Sequence, residues 1–150
     1  TIEEKLGDVS GKKIAWLGDY NNVARTFVQA ASKFGFELAL ATVQQSTHTP
    51  EDAARNADVI VTDTWVSMGQ EGKNITPFKP FQVNANLMAL AKSGAIFMHC
   101  MPIHRGEEVT EEVLRSPACV IYEEAENRLH AQKAILAWCF ETSGVKPQKN

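Results

Sequence analysis

No glycine-rich fingerprint opens this chain. The loop after its first apolar run, Gly18-Asp19-Tyr20-Asn21-Asn22, holds one glycine, whereas a dinucleotide fingerprint of the GxGxxG kind needs three. Cysteine is scarce. Cys100, Cys119 and Cys139 form an odd, widely spaced set without a CxxC pair, which argues against a disulfide framework or a zinc ribbon and points to a reducing compartment. No apolar run approaches the roughly 20 residues of a membrane span. Positive charge is not in excess: 15 Lys and Arg stand against 18 Asp and Glu, a net charge of −3, so there is no electrostatic footprint for nucleic acid. The opening, Thr1-Ile2-Glu3-Glu4-Lys5, is polar, so no signal peptide is expected. A start at Thr rather than Met reads as a fragment or a processed product.

What is present suits one domain with a core of its own: 150 residues, 44% hydrophobic and 22% charged. Five short apolar runs read as strands, at 12–17, 36–42, 58–62, 95–98 and 118–122. Helical patterns alternate with them. Val23 to Phe34 places Val23, Phe27, Ala30, Ala31 and Phe34 on one face, and Gly35 closes it. Thr49 and Pro50 open a short helix as N-cap and first residue. Further helices are predicted over 83–92, over 110–114 with Thr110 as N-cap, and over 123–142. Thr1 to Leu6 reads as the end of a helix or linker, and Asp63 to Pro80 as a long loop of the kind that is often functional. The fold class is α/β: a doubly wound, Rossmann-like parallel sheet of about five strands, in the order 3-2-1-4-5, with helices on both faces. Cys119 reads as a buried strand residue, and Cys139 as packed on the last helix.

Four polar constellations follow the carboxyl ends of predicted strands, where an open α/β sheet binds its ligands. Asn21 and Asn22, after the first strand, can present both donors and acceptors; an N-cap and a turn would equally explain either one. Asp63-Thr64-Trp65-Val66-Ser67-Met68-Gly69-Gln70 follows the third strand. There a carboxylate could hold an ammonium group, and Ser67 with the loop amides a carboxylate, which together suit an amino acid; a surface loop with a capping Asp is the alternative. His99-Cys100-Met101-Pro102 follows the fourth strand. It sets a readily protonated ring beside a thiol, at a place where Pro102 must end the ladder. Glu123-Glu124-Ala125-Glu126-Asn127-Arg128 follows the fifth. Arg128 suits an anion or a carbonyl oxygen, or else a surface i,i+4 pair with Glu124.

In this order, the four stretches resemble the second, ornithine-binding domain of ornithine carbamoyltransferases, within the aspartate/ornithine carbamoyltransferase family. The likeness runs from Leu6 to Phe140. It implies transfer of a carbamoyl group from carbamoyl phosphate to the δ-amine of ornithine, giving citrulline and phosphate. By this resemblance Asn22, Asp63, Ser67 and Met68 would bind ornithine. Cys100 would be catalytic, close to the reacting amine. Cys100, Met101 and Arg128 would meet carbamoyl phosphate, with His99 and Pro102 supporting the turn. The resemblance implies no metal and no organic cofactor. It also implies a homotrimer or a multiple of one, no nucleic-acid or membrane partner, and a cytoplasmic setting, or the mitochondrial matrix in an animal.

Three departures from the family pattern stand out. Met101 replaces the usual Leu, a volume-conserving exchange. The connection from Thr42 to Pro50 is shorter than usual, lacking a helix. The Ser-Thr-Arg-Thr and His-Pro-x-Gln motifs of the family's phosphate-binding domain are absent. Residues 1–150 are therefore expected to be the C-terminal, ornithine-binding domain without its carbamoyl-phosphate domain, inactive alone. An amino-acid-binding module without turnover, or a relative acting on another amine, are the competing readings.

Overall fold

Near-continuous burial on both faces turns four of the apolar runs into one parallel sheet. In a computed structural model of the chain, which describes residues 1–66, 69–70 and 72–144, the strands are β1 (Lys13–Gly18), β2 (Glu37–Thr42), β3 (Val59–Thr62) and β4 (Ile96–His99). Their order is β2-β1-β3-β4. The helices are α1 (Ile2–Leu6), α2 (Asn22–Phe34), α3 (Pro50–Ala54), α4 (Ala85–Leu90), α5 (Glu111–Leu114) and α6 (Ile121–Ser143), with a 3-10 helix at Thr76–Phe81. Successive strand residues point to opposite faces, so two cores form. Ile14, Trp16, Leu40, Val59, Val61 and Met98 pack with α1, α2 and Val120. Ala15, Leu17, Ala39, Ile60 and Phe97 pack with α3, α4, α5 and Ile121. The sheet is thus doubly wound, as expected.

The expected fifth strand and the order 3-2-1-4-5 need correction. Segment 118–122 makes a single bridge, Cys119 beside Phe97. Phe97 donates to Ala118 O at 2.7 Å and Val120 donates to Phe97 O at 3.0 Å, and then the chain enters α6 at Ile121, two residues before the helix was expected. Strand pairing loses there because Val120 O turns to accept the N–H of Glu124, the first bond of α6. The order reverses between β1 and β3, so the switch point lies beside the loops after those two strands.

Local signals set the helix ends. Asn21 caps α2 by accepting from Val23 and Ala24 N–H. Thr49 caps α3 through the Asp52 N–H. Gly35 closes α2 in the left-handed conformation. Thr110 stands at the N-terminus of α5 as expected, yet its hydroxyl makes no capping bond. The short 43–49 connection folds over the open edge of β2. Leu40 donates to Thr47 Oγ1 at 3.2 Å, Leu40 O accepts from Thr47 and His48 N–H, and Thr42 donates to Ser46 Oγ at 2.8 Å. Hydroxyls and turn amides occupy an edge that would otherwise invite pairing with another chain.

The last helix departs furthest from expectation. From Arg128 to Gly144 every residue is exposed, including Leu129, Ile135, Leu136, Trp138 and Phe140. Cys139 is exposed rather than packed, because α6 leaves the sheet after its first turns. Cys119 is only half-buried, and Phe34 is largely exposed.

Gly18 is required where β1 ends. Its φ is +114°, and a Cβ there would lie 2.8 Å from Trp65 Nε1. Trp65 is fully buried and cannot swing away. Gly18→Ala should lose about 2–4 kcal/mol by urea denaturation, from backbone strain and overpacking together. Gly94→Ala, with φ +81° but open space around it, should lose only about 1–2 kcal/mol. Equal losses at the two glycines would show that Trp65 yields.

Candidate active site

The loops after β1, β3 and β4 meet at the Asp63 carboxylate. Asp63 is the residue after β3 and is buried. Its Oδ2 accepts from Asn21 Nδ2 at 2.6 Å. Its Oδ1 accepts from Thr64 N–H at 2.8 Å and from the Cys100 thiol at 2.8 Å. No cationic side chain among the described residues pairs with it. Burial of the thiol, and then its hydrogen bond to Asp63, push the Cys100 pKa far above the ordinary thiol range. Cys100 is therefore a neutral donor at physiological pH.

Beyond Cys100 a cavity of about 740 Å³ opens between the end of β4 and α6. His99, Cys100, Met101 and Pro102 form one wall, with Glu124 and Arg128 on the other. Arg128 makes no hydrogen bond or ion pair among the described residues. The i,i+4 pair with Glu124 does not form, because Glu124 Oε2 accepts the His99 N–H at 2.8 Å instead. Burial above all raises the Glu124 pKa to about 6. Met101 has φ +50° and precedes a cis peptide to Pro102, and its N–H donates to His99 Nδ1 at 3.0 Å. The neutral His99 ring therefore carries its proton on Nε2, which is buried without a partner.

Glu108, Lys73 and Phe78 fix Trp65 in the loop after β3. Glu108, fully buried, accepts from Trp65 N–H at 3.2 Å, from His104 N–H at 2.9 Å and from His104 Nδ1 at 2.8 Å. Lys73 donates to Trp65 O at 2.8 Å, pairs with Asp19 at 3.3 Å and lies over the Phe78 ring. Phe78 in turn stacks on Trp65.

Of the residues singled out from the sequence, Asp63, His99, Cys100, Met101, Pro102 and Arg128 come together here. Ser67 and Met68 lie outside the described residues. Asn22 stands exposed on the first turn of α2, its side chain without a hydrogen-bond partner among the described residues, and it is Asn21 that reaches Asp63. Asn21 was legible only as one of two equivalent amides. Glu108, His104 and Lys73 were not singled out, since nothing local separates Glu108 from the exposed acids around it. Asp63, His99 and Cys100 also bring ligand atoms within 4.8 Å of one another, as do His104, Glu107 and Glu108. A cation at the first group would have to displace the thiol proton.

A neutral thiol and a buried carboxylate at the switch point of a doubly wound sheet, with a free guanidinium across the cavity, define a crevice for a small ligand bearing both charges. Comparison with known proteins gives the family. The aspartate/ornithine carbamoyltransferase Asp/Orn binding domain matches residues 42–139, and the chain belongs to that family. It is 52% identical to an ornithine carbamoyltransferase of Brucella ovis across 97% of this chain and 53% of the relative. Among solved structures it is similar to ornithine carbamoyltransferase from Pyrococcus furiosus, with a TM-score of 0.84, 42% identity, and coverage of 91% of this chain and 52% of that one. An N-acetyl-L-ornithine transcarbamylase matches at 27% identity and a TM-score of 0.74, over 91% and 53%. The chain spans about half the length of the curated relatives it matches. The alignment with the Brucella protein runs over 168 positions, more than the 150 residues of this chain, so that relative carries residues with no counterpart here. Among the described residues no helix is long and apolar enough to cross a membrane.

The two histidines of the site should titrate on opposite sides of 6.5. Burial holds the His99 pKa down. The hydrogen bond to Glu108 holds that of His104 up. The folded chain then resists protonating His99, which removes stability as pH falls below 6.5. The His104 contribution is complete below 6.5 and is lost as pH rises through its raised folded value. Imidazole carbon shifts followed by NMR from pH 4.5 to 8.5 should resolve the two midpoints. Coincident midpoints at 6.5 would contradict the geometry.

Proposed function

We propose that residues 1–150 are the ornithine-binding half of an ornithine carbamoyltransferase, completed by a carbamoyl-phosphate-binding half. The observation that carries this reading is the Asp63 carboxylate, buried and bonded among the described residues only by neutral donors, one of which, Cys100, lines the cavity that Arg128 also lines. Such a carboxylate favours a cationic ligand strongly, because a charge-assisted hydrogen bond is worth about 1.5–3 kcal/mol against about 1 for a neutral one. In the reaction the neutral δ-amine attacks the carbonyl carbon. The carbon–nitrogen bond forms, the carbon–oxygen bond to phosphate breaks with its electron pair leaving on the phosphate, and the phosphate takes up the proton that the amine loses.

In this scheme Asp63 receives an ammonium of ornithine, with Asn22, Ser67 and Met68 around the amino acid. Arg128 faces the carbamoyl phosphate, and Cys100 and Met101 line the path between the reactants. Cys100 positions and donates rather than attacking, since a thiol bonded to a carboxylate is a poor nucleophile. Holding both reactants in line supplies much of the rate, and donors aimed at the carbonyl oxygen supply more. The exposed apolar turns of α6, with Leu136 and Phe140 on one side of the helix and Trp138 on the other, suit a helix enclosed by further protein; we assign that cover to the other half. By the family resemblance the whole enzyme is a homotrimer or a multiple of one. We place it in the cytoplasm, since relatives such as the Brucella protein are bacterial. Free ornithine is preferred over an acylated amine because identity is higher to ornithine enzymes than to the N-acetylornithine enzyme.

The test joins this chain to the phosphate-binding half. Asp63→Asn should weaken ornithine about 2- to 30-fold by calorimetry, the equivalent of about 0.5–2 kcal/mol, and leave carbamoyl phosphate unchanged. Equal losses for both ligands would overturn the assignment. The chain by itself should make no citrulline.

A further inference from the structure

Glu124 does what a missing strand would otherwise do. In a parallel sheet, alternate peptides of a strand bond outward to the next neighbour. On the outer side of β4, Phe97 finds that neighbour in residues 118–120. The next outward N–H belongs to His99. The neighbouring chain has by then become helical, and its Val120 carbonyl is taken by Glu124 N–H. The Glu124 side chain folds back from the first turn of α6 and accepts the His99 N–H at 2.8 Å. Two of the residues that line the cavity hang from His99: Met101 donates its N–H to His99 Nδ1, and the adjacent Cys100 donates to Asp63. Glu124 itself lines the cavity, and Asp63 does not.

We propose that Glu124 is a positioning residue of the crevice, its carboxylate fixing the His99 peptide and through it the Cys100 thiol and Met101 amide, so that the site is in register for its ligand only while that carboxylate is ionised. The groups facing it are Asp63 from the β3 loop, His99 and Cys100 from β4, Arg128 one turn along α6, and the amino group of Thr1 from α1. Burial and Asp63 oppose its ionisation, while the His99 N–H and the Thr1 amino group favour it, with a balance at about 6. Protonation of Glu124 turns a charge-assisted acceptor into a weaker one. Only the ligand arm of the test rests on the function proposed above.

The experiment follows the His99 and Met101 backbone amides of the 15N-labelled chain from pH 4.5 to 8, with Glu124→Gln beside it. In the parent chain both amides should shift with a midpoint of about 6, the same midpoint as the Glu124 side-chain carbon. In Glu124→Gln that step should vanish, while the separate step from the His99 ring remains. A parent chain without the shared step, or a variant that retains it, overturns the proposal. Should Glu124→Gln fail to fold, the shared midpoint in the parent chain decides alone. Ornithine affinity of the two-half enzyme should fall up to about tenfold per pH unit below about 6, and Glu124→Gln should lose that limb. An affinity limb kept in the variant counts against the proposal. Absence of ornithine binding at every pH counts against the functional reading instead, with the amide result standing by itself.

Discussion

A buried carboxylate bonded, among the described residues, only by neutral donors is the constraint around which this domain is arranged. Asp63 takes hydrogen bonds from the loops after β1 and β4 and from its own loop. Taking a carboxylate out of water is unfavourable by several kcal/mol unless donors compensate. Three donors satisfy much of its hydrogen-bonding capacity and none neutralises it. The sheet makes this arrangement reachable. Parallel strands bring the three exits to one edge, and the reversal of order between β1 and β3 leaves a crevice there.

The surroundings serve to hold that edge still. Trp65 is gripped at its N–H by Glu108 and at its carbonyl by Lys73, and it fits only because Gly18 has no side chain. The Lys73 tie lies within one loop, but Glu108 and Gly18 reach Trp65 from segments far apart in the chain, so the site is a tertiary product rather than a loop motif. The same logic explains the chemistry assigned to Cys100. A carboxylate within 2.8 Å and a half-buried setting keep the thiol protonated, which suits positioning an amine and does not suit covalent attack.

Much of this was legible in the residues. The unbroken apolar run Ile14-Ala15-Trp16-Leu17 and the caps at Asn21 and Thr49 are local features, and the fold class follows from them. The strand order was not legible, because it depends on which crossover packs on which face, and no local pattern in β2 or β3 records that. The run 118–122 has the composition of a strand and becomes a bridge and a helix start, since Glu124 claims the carbonyl a ladder would need. In the site, Asp63, Cys100 and Arg128 stood out by their place after strands. Glu108 did not, and Glu124 entered only as a surface partner for Arg128, because a buried or half-buried glutamate and an exposed one look alike in a sequence.

The most direct measurement is a crystal structure of this chain joined to its phosphate-binding half, grown with ornithine and inorganic phosphate. An ornithine ammonium should lie about 3 Å from the Asp63 carboxylate, with the phosphate on the Arg128 side of the cavity. An ordered ornithine with both its amines remote from Asp63 would contradict the account.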